Sequence, residues 1–277
     1  MIGVELAKLF RRPRTYVIAA LLCALPLTVA IFLATTRIPP PPGQGGAFLS
    51  AVLSNGALYP AAAMALVLPV FLPVSVAVLA GDAVAGEASA GTLRYLLIRP
   101  VSRTRLLVAK LISLVAFVLF AIVSVLVTSY LTGILLFGVS TSSAGVALPP
   151  DVTSLSGVTI SPAGLALRLL GTVAYIVISM LGVAAIALFL STVTDSSLGA
   201  AMGALAVLVT SQVLVTLDAA AAIRPYLPTR YWLAWVDFFR DPVLWRDIER
   251  GAGIQLVYLA VLLGAAWANF LTKDVAN

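Results

Sequence analysis

The chain has 277 residues, of which 61% are hydrophobic and 10% are charged, and its formal net charge is +6. Soluble domains carry about 25% charged residues, so this composition excludes a soluble protein and indicates one that spans a membrane. The sequence has no histidine and one cysteine, Cys23, which excludes histidine-dependent catalysis, histidine-ligated metal sites and disulfides within the chain. The basic residues lie at the ends of apolar runs, so the lipid bilayer is an expected partner and nucleic acid is not.

Residues 2–12 are predicted to form a short amphipathic helix on the membrane surface, because their apolar side chains recur at helical spacing. Its apolar positions are Ile2, Leu6, Leu9 and Phe10, and its charged residues are expected on other faces. Pro13 is expected to end this helix and to turn the chain into the bilayer. The helix serves either as a plain basic anchor or as an elbow that also meets a cytosolic partner.

Six runs without a charged residue are each long enough to cross a bilayer, which takes about 20 apolar residues in a helix. The predicted spans are 16–35, 58–81, 111–137, 169–192, 198–217 and 254–272. We therefore predict an all-α polytopic membrane protein with six transmembrane helices, in which residues 1–277 form a single membrane domain. Pro69 and Pro73 predict either packing kinks in the second span or a helix bent to line a pathway.

Segment 218–250 between the last two spans is unusually rich in aromatic residues. Those at helical spacing are Tyr231, Trp232, Trp235, Phe238 and Phe239. They predict a short interfacial or re-entrant helix, and a second one is predicted from Asp241-Pro242 to Gly251. We expect this segment to form an outer gate carried by Trp232, Trp235 and Phe239. The alternative is a belt of rings at the membrane interface.

The distribution of basic residues predicts which side of the membrane each loop occupies. Four Lys or Arg residues precede the first span, whereas Arg37 alone follows it closely, so the N-terminus is predicted to be cytoplasmic. Six spans then place both termini and loop 82–110 in the cytoplasm of a multi-pass protein of the cell (plasma) membrane.

Loop 82–110 carries ordered helix signals. Gly91 can end the helix that leaves the second span, and Thr92 can cap a short helix that Pro100 ends. Ser102 can then cap a third helix that runs through Lys110 into the next span. The product is a structured elbow suited to docking in a groove on another protein; the alternative is a solvated basic loop.

The same loop resembles that of the ABC-2 family of ABC transporter permeases, which are six-span proteins with an N-terminal interfacial helix. The resemblance lies in Asp82, then Glu87-x3-Gly91-Thr92-Leu93, then Arg99-Pro100-Val101-Ser102-Arg103, and then the basic Lys110 before the third span. By this resemblance the surface that meets the ATPase subunit comprises Glu87, Gly91, Thr92, Leu93, Arg99, Pro100, Ser102 and Arg103. The sequence departs from the family at Arg94, where many relatives carry an acid.

The resemblance implies a transmembrane permease subunit of an ATP-driven exporter. Its partners would be a separate ABC ATPase subunit, which binds ATP and Mg, and a second permease subunit, identical or related. The chain has no recognisable P-loop, so it is expected to be no enzyme itself and to hold neither cofactor nor metal.

The apolar spans favour a hydrophobic or amphiphilic substrate, with Gln212, Thr210 and Ser211 as candidate pathway residues. An ATPase-coupled membrane anchor or sensor without transport is an alternative. A secondary transporter is a less favoured alternative. Proton or sodium coupling usually leaves a charged residue near the middle of a span, and the six predicted spans have none there. A channel or a membrane-embedded enzyme is also less favoured. It would need a polar filter or a catalytic cluster, which spans without charged residues or histidine do not suggest.

Overall fold

The computed structural model of the protein describes residues 2–36, 52, 56–89, 103–138 and 152–272. The α-helices in these ranges are α1 (Ile2–Arg11), α2 (Pro13–Thr36), α3 (Tyr59–Val67), α4 (Phe71–Ser89), α5 (Arg103–Phe137), α6 (Pro162–Val193), α7 (Ser197–Thr216) and α8 (Trp245–Thr272). Short 3₁₀ helices cover Gly56–Leu58, Asp218–Ala220, Arg224–Tyr226 and Ala234–Phe239. A small antiparallel hairpin pairs β1 (Val152–Thr153) with β2 (Thr159–Ile160).

Six of the helices, α2 and α4 to α8, are long and apolar enough to cross a membrane. The predicted all-α, six-span fold is therefore confirmed, and the chain is a multi-pass membrane protein. The two longest helices, α5 with 35 residues and α6 with 32, extend roughly 50 Å at a rise of about 1.5 Å per residue. That exceeds a hydrocarbon core of about 30 Å, so both helices reach beyond it.

The second span differs from its prediction at 58–81. The helical path breaks at a turn over residues 68–70, and the crossing helix is α4, which continues to Ser89. Pro69 has no amide proton to continue α3, whereas Pro73 lies in the first turn of α4, where amide groups have no helical partner in any case. Asp82 and Glu87 therefore lie on α4, in agreement with the expectation that the helix leaving the second span continues toward Gly91.

Helix α6 lies at the centre of the bundle and packs against α4, α7 and α8, while α2 packs against α5. Small residues permit these contacts. A side chain added at Gly81 of α4 would place its Cβ 2.8 Å from the amide nitrogen of Ala201 in α7, so these two backbones nearly touch. Only glycine fits at that crossing without a shift of one helix.

Contacts along α6 define two ends of the bundle. Near the last turns of α6, Ser191 bonds to α4 close to Glu87, and Asn269 of α8 donates to Thr192; we call this the Glu87 end. Near its first turns, Arg168 pairs with Asp241 beside the aromatic segment; we call this the Trp235 end. Helix α1 and the last turns of α8 therefore lie at the same end.

The aromatic segment contains short helices, as predicted, but their type and one of their boundaries differ from the prediction. The predicted short helix at the aromatic residues is a 3₁₀ helix, Ala234–Phe239, whereas no helix begins at Asp241-Pro242, whose peptide bond is cis. Instead α8 begins at Trp245 and passes through Gly251 without interruption. The glycine is needed there for packing, because a Cβ at Gly251 would lie 2.0 Å from the Tyr175 hydroxyl oxygen.

Candidate functional site: a charged cavity at the Glu87 end

A cavity of about 610 Å³ lies at the Glu87 end, between α1, α2, α4 and α5. Both acidic and basic side chains line it, together with apolar residues such as Leu9, Leu79 and Leu114. The charged residues of its lining are Glu5, Lys8, Arg12, Arg14, Asp82, Glu87 and Lys110. They come from three separate stretches of the sequence, 5–14, 82–87 and Lys110, so only the fold brings these stretches together.

Four of these residues form a closed network of alternating charge, which we call the quartet: Glu5, Lys8, Glu87 and Lys110. The Lys8 ammonium lies 3.1 Å from Glu5 Oε1 and 2.9 Å from Glu87 Oε1. The Lys110 ammonium lies 2.8 Å from Glu87 Oε2 and 3.7 Å from Glu5 Oε2. Each lysine thus bridges both carboxylates, and the quartet as a whole is neutral.

The quartet is more buried than an ordinary surface ion pair. The Lys110 side chain is 3% exposed and that of Glu87 11%, whereas Lys8 keeps 37% of its side chain in contact with solvent. Burial lowers the pKa of Lys8, but its bonds to Glu87 and Glu5 outweigh that effect and raise the pKa above its ordinary value. A buried charge without its partner is strongly destabilising, so the members depend on one another.

Helix α1 is oriented by this network. Glu5 was expected away from the apolar face, yet it is buried beside Leu9, one turn further along the same face of the helix. That expectation is wrong because Lys110, on another helix, supplies the partner that makes burial of an acid tolerable. Ile2 and Val4 are 43% and 56% exposed, so part of the apolar surface of α1 points outward.

A second charged group, the triad of Arg12, Arg14 and Asp82, lies beside the quartet. Arg12 Nη1 and Arg14 Nη2 lie 3.4 Å and 2.5 Å from the same oxygen, Oδ2 of Asp82. The two arginine side chains are 46% and 42% exposed. One carboxylate thus serves two guanidinium groups, so the triad keeps an excess of one positive charge.

Ser191 of α6 fixes the turn of α4 that carries Asp82, and the sequence analysis did not single it out. Its hydroxyl donates to the Gly81 carbonyl at 2.7 Å and accepts from the amides of Val84 and Ala85 at 3.0 and 2.9 Å. A side chain that inserts into a helix in this way commonly bends it. Hydroxyls are frequent in the apolar runs, so the sequence held no signal that distinguished Ser191.

Replacing Ser191 with alanine is expected to destabilise the protein by about 1–3 kcal/mol, because three backbone groups of α4 lose a buried partner. Thermal unfolding of the purified protein in detergent measures the effect. Ser124→Ala is the matched control, since that hydroxyl donates to the carbonyl of Phe120 on its own helix. Equal stability of the two variants would contradict the role assigned to Ser191.

Of the predicted ATPase-binding surface, the structure describes Glu87 and the backbone of Arg103, which begins α5. Glu87 lies inside the quartet and is 9% exposed. The remaining predicted residues, which are Gly91, Thr92, Leu93, Arg99, Pro100 and Ser102, lie outside the described residues. The quartet members Lys8 and Glu5 were not predicted as site residues, since only the fold places α1 against α4 and α5.

The three candidate pathway residues point in different directions from α7. Thr210 is exposed, Gln212 is half-buried, and Ser211 is buried with its hydroxyl 2.7 Å from that of Thr229. The Thr229 amide also donates to Ser211. Ser211 therefore holds the aromatic segment on α7, and the three side chains do not share one surface.

The predicted gate residues are packed inside the protein. Trp232, Trp235 and Phe239 are 3%, 0% and 1% exposed, and the last two rings meet edge to face with centroids 6.1 Å apart. Tyr175 of α6 donates to the Tyr231 carbonyl at 2.6 Å and ties the segment to the central helix. Their role as a gate stays a prediction.

Comparison with known families places most of the chain in one of them. No match was found among the curated proteins. A family model described as a protein of unknown function (DUF2705) matches residues 18–236 of the 277. The matched range includes Asp82, Glu87, Lys110 and Ser191 and begins after α1. The chain therefore belongs to the DUF2705 family.

Proposed function

We propose that this protein is the transmembrane permease subunit of an ATP-driven exporter that works with a separate ATPase subunit. Support comes from the six spans, from the N-terminal helix α1 and from the ABC-2-like motif between α4 and α5. The proposed substrate is hydrophobic or amphiphilic, and the proposed site of action is the cell membrane. A second permease subunit would complete the transporter.

The observation that carries the proposal is the position of the quartet at the base of the motif. Glu87 lies in the last turn of α4 and Lys110 in the first turns of α5, so the 2.8 Å contact ties together the two helices that flank segment 90–102. Lys8 extends the link to α1. Force applied to that segment by an ATPase would pass directly to the spans α4 and α5, and through the quartet to α1.

The proposed orientation places the Glu87 end in the cytoplasm and the Trp235 end outside. In a Cys23→Ala background, a cysteine at Ala222 is expected to react with a membrane-impermeant maleimide added to intact cells. A cysteine at Ser89 is expected to react only after the membrane is opened, and both positions are exposed. The reverse labelling pattern would overturn the orientation and the cytoplasmic docking surface together.

Affinity purification of the tagged chain from its native membrane in mild detergent tests the partner. We expect a P-loop ATPase to be recovered with it and the eluate to hydrolyse ATP. Glu87→Arg should reduce that ATPase recovery, while Arg246→Glu, an exposed substitution at the opposite end of the bundle, should leave it unchanged. Recovery of the chain free of any ATPase would count against the proposal.

The alternative of an ATPase-coupled anchor or sensor predicts the same recovery, so a transport measurement has to separate the two. In sealed inverted vesicles, an exporter accumulates its substrate only when ATP is supplied, and accumulation stops with a non-hydrolysable analogue. An anchor or sensor shows ATP hydrolysis without accumulation. A secondary transporter would instead respond to a proton or sodium gradient with no requirement for ATP.

A further inference from the structure

Among the described residues that line it, the charged cavity has one more positive than negative charge. The quartet is neutral because it has two lysines and two glutamates, whereas the triad sets Arg12 and Arg14 against Asp82 alone. The described lining residues include four cationic and three anionic side chains. The excess lies at the two arginines, and a ligand that complements it should carry one negative charge.

The two arginines have hydrogen-bond donors to spare. A guanidinium group has five N–H donors, and Arg12 and Arg14 each direct one nitrogen at the same oxygen of Asp82. Both side chains line the cavity and are more than two-fifths exposed. Two adjacent guanidinium groups of this kind suit a phosphate, to which arginine forms short, charge-assisted hydrogen bonds.

The cavity has the size and the walls for an amphiphile. Ligand pockets commonly enclose about 300–1,000 Å³, and this cavity, at about 610 Å³, lies in that range. Leu9, Leu79 and Leu114 supply apolar surface in the same lining as the charged residues. A phosphodiester with a glycerol backbone could place its charge at the arginines and its carbon skeleton against these leucines.

The surroundings of the cavity point to a membrane lipid as the source of the phosphate. Val4 and Phe10 of α1 are 56% and 36% exposed, and Tyr16 and Val17 at the start of α2 are 51% and 56% exposed. Apolar and aromatic side chains beside basic ones are typical of the headgroup region of a bilayer. Basic pockets between transmembrane helices are known to bind anionic lipid headgroups.

We propose that Arg12 and Arg14, at the mouth of the charged cavity, bind the phosphodiester headgroup of an anionic phospholipid. The lipid would neutralise the excess charge and hold α1 against α4 at the membrane surface. This site is independent of the proposed transport function, because it requires only the fold and the bilayer. Asp82 opposes the ligand by its own charge and thereby limits its affinity.

The test uses the purified full-length protein in nanodiscs or detergent, with phosphatidylglycerol and phosphatidylcholine as probes. Native mass spectrometry should show the chain retaining phosphatidylglycerol in preference to phosphatidylcholine. Arg12→Gln/Arg14→Gln should lower that retention at least about tenfold, because two charge-assisted contacts are lost. Arg11→Gln is the matched control, since Arg11 is an exposed neighbour on α1 outside the cavity lining, and it should retain the lipid as the wild type does.

A gain-of-binding variant keeps the proposal testable if the double arginine variant fails to fold. Asp82→Asn preserves both arginines and removes the competing carboxylate, so its retention of phosphatidylglycerol should rise. Equal retention by wild type and the double variant, or weaker retention by Asp82→Asn, would overturn the proposal. Displacement of the lipid by millimolar inorganic phosphate, with no preference between the two lipids, would assign the site to free phosphate and refute the lipid headgroup.

Discussion

Replacing Glu87 with glutamine is expected to destabilise the protein by about 3–5 kcal/mol, the cost typical of removing one partner from a buried ion pair. The variant leaves the Lys110 ammonium in a site where its side chain is 3% exposed, with Glu5 at 3.7 Å as its remaining carboxylate. Unfolding of the detergent-solubilised protein by a denaturing surfactant, followed by tryptophan fluorescence, measures the loss.

Two further variants make this prediction specific to the quartet. The double variant Glu87→Gln/Lys110→Met removes both buried charges of the closest pair and should recover much of the lost stability. Asp82→Asn removes a carboxylate of the more exposed triad and should cost about 1 kcal/mol or less. If the double variant is no more stable than Glu87→Gln alone, a buried charge is not what destabilises that variant.

Replacing Trp235 with alanine should cost about 3–5 kcal/mol, because its ring is fully buried and its removal leaves a large cavity in the core. Trp245→Ala is the matched control. That ring is 55% exposed, so its loss should cost under about 1 kcal/mol. The same unfolding assay applies to both, and similar costs for the two rings would contradict the packing of the aromatic segment.

If the Trp235 end forms a gate, its rings should affect transport as well as stability, whereas packing alone affects only stability. Trp232→Phe keeps an aromatic ring in the core and should preserve most of the stability while it changes the shape of the predicted exit. In transporting vesicles, a gate role predicts altered substrate range or altered coupling of ATP hydrolysis to transport. Wild-type values of both would leave these rings a purely structural role.

The six crossings could be predicted because a bilayer admits long apolar helices and excludes charges, so uncharged runs mark them directly. The break between α1 and α2 could also be predicted, because Pro13 interrupts the helical pattern there. The second span was misplaced because the predicted span 58–81 contains three prolines, Pro60, Pro69 and Pro73, and the sequence alone does not reveal which of them breaks the helix. The fold places the break at Pro69 and carries α4 on to Ser89.

The prediction for the aromatic segment differed from the structure for another reason. Rings at this spacing also suit turns and short 3₁₀ helices that pack their side chains inward, and Tyr175 and Thr229 provide contacts that hold such a segment in place. Gly251 looked like a helix end, yet it lies within α8 because a side chain there would collide with Tyr175. Both errors arise from tertiary packing, which local patterns do not encode.

The candidate site was only partly readable from the sequence. Glu87 stood out within its motif, and Lys110 stood out as the basic residue before the third span. Their pairing with Glu5 and Lys8 depends on how α1 docks across two distant helices. One local signal was present, since Glu5 lies one turn from the apolar Leu9, where an acid without a partner would be costly.

The central claim is that segment 90–102 meets an ATPase, and site-specific cross-linking tests it most directly. A photoreactive amino acid placed at Leu93 in living cells should yield, on illumination, a covalent adduct with an ATP-hydrolysing subunit. The same probe at Leu155, an exposed residue at the Trp235 end, should yield none. An adduct with the ATPase at Leu155 instead, or adducts at Leu93 with lipids and unrelated proteins alone, would contradict the proposed function.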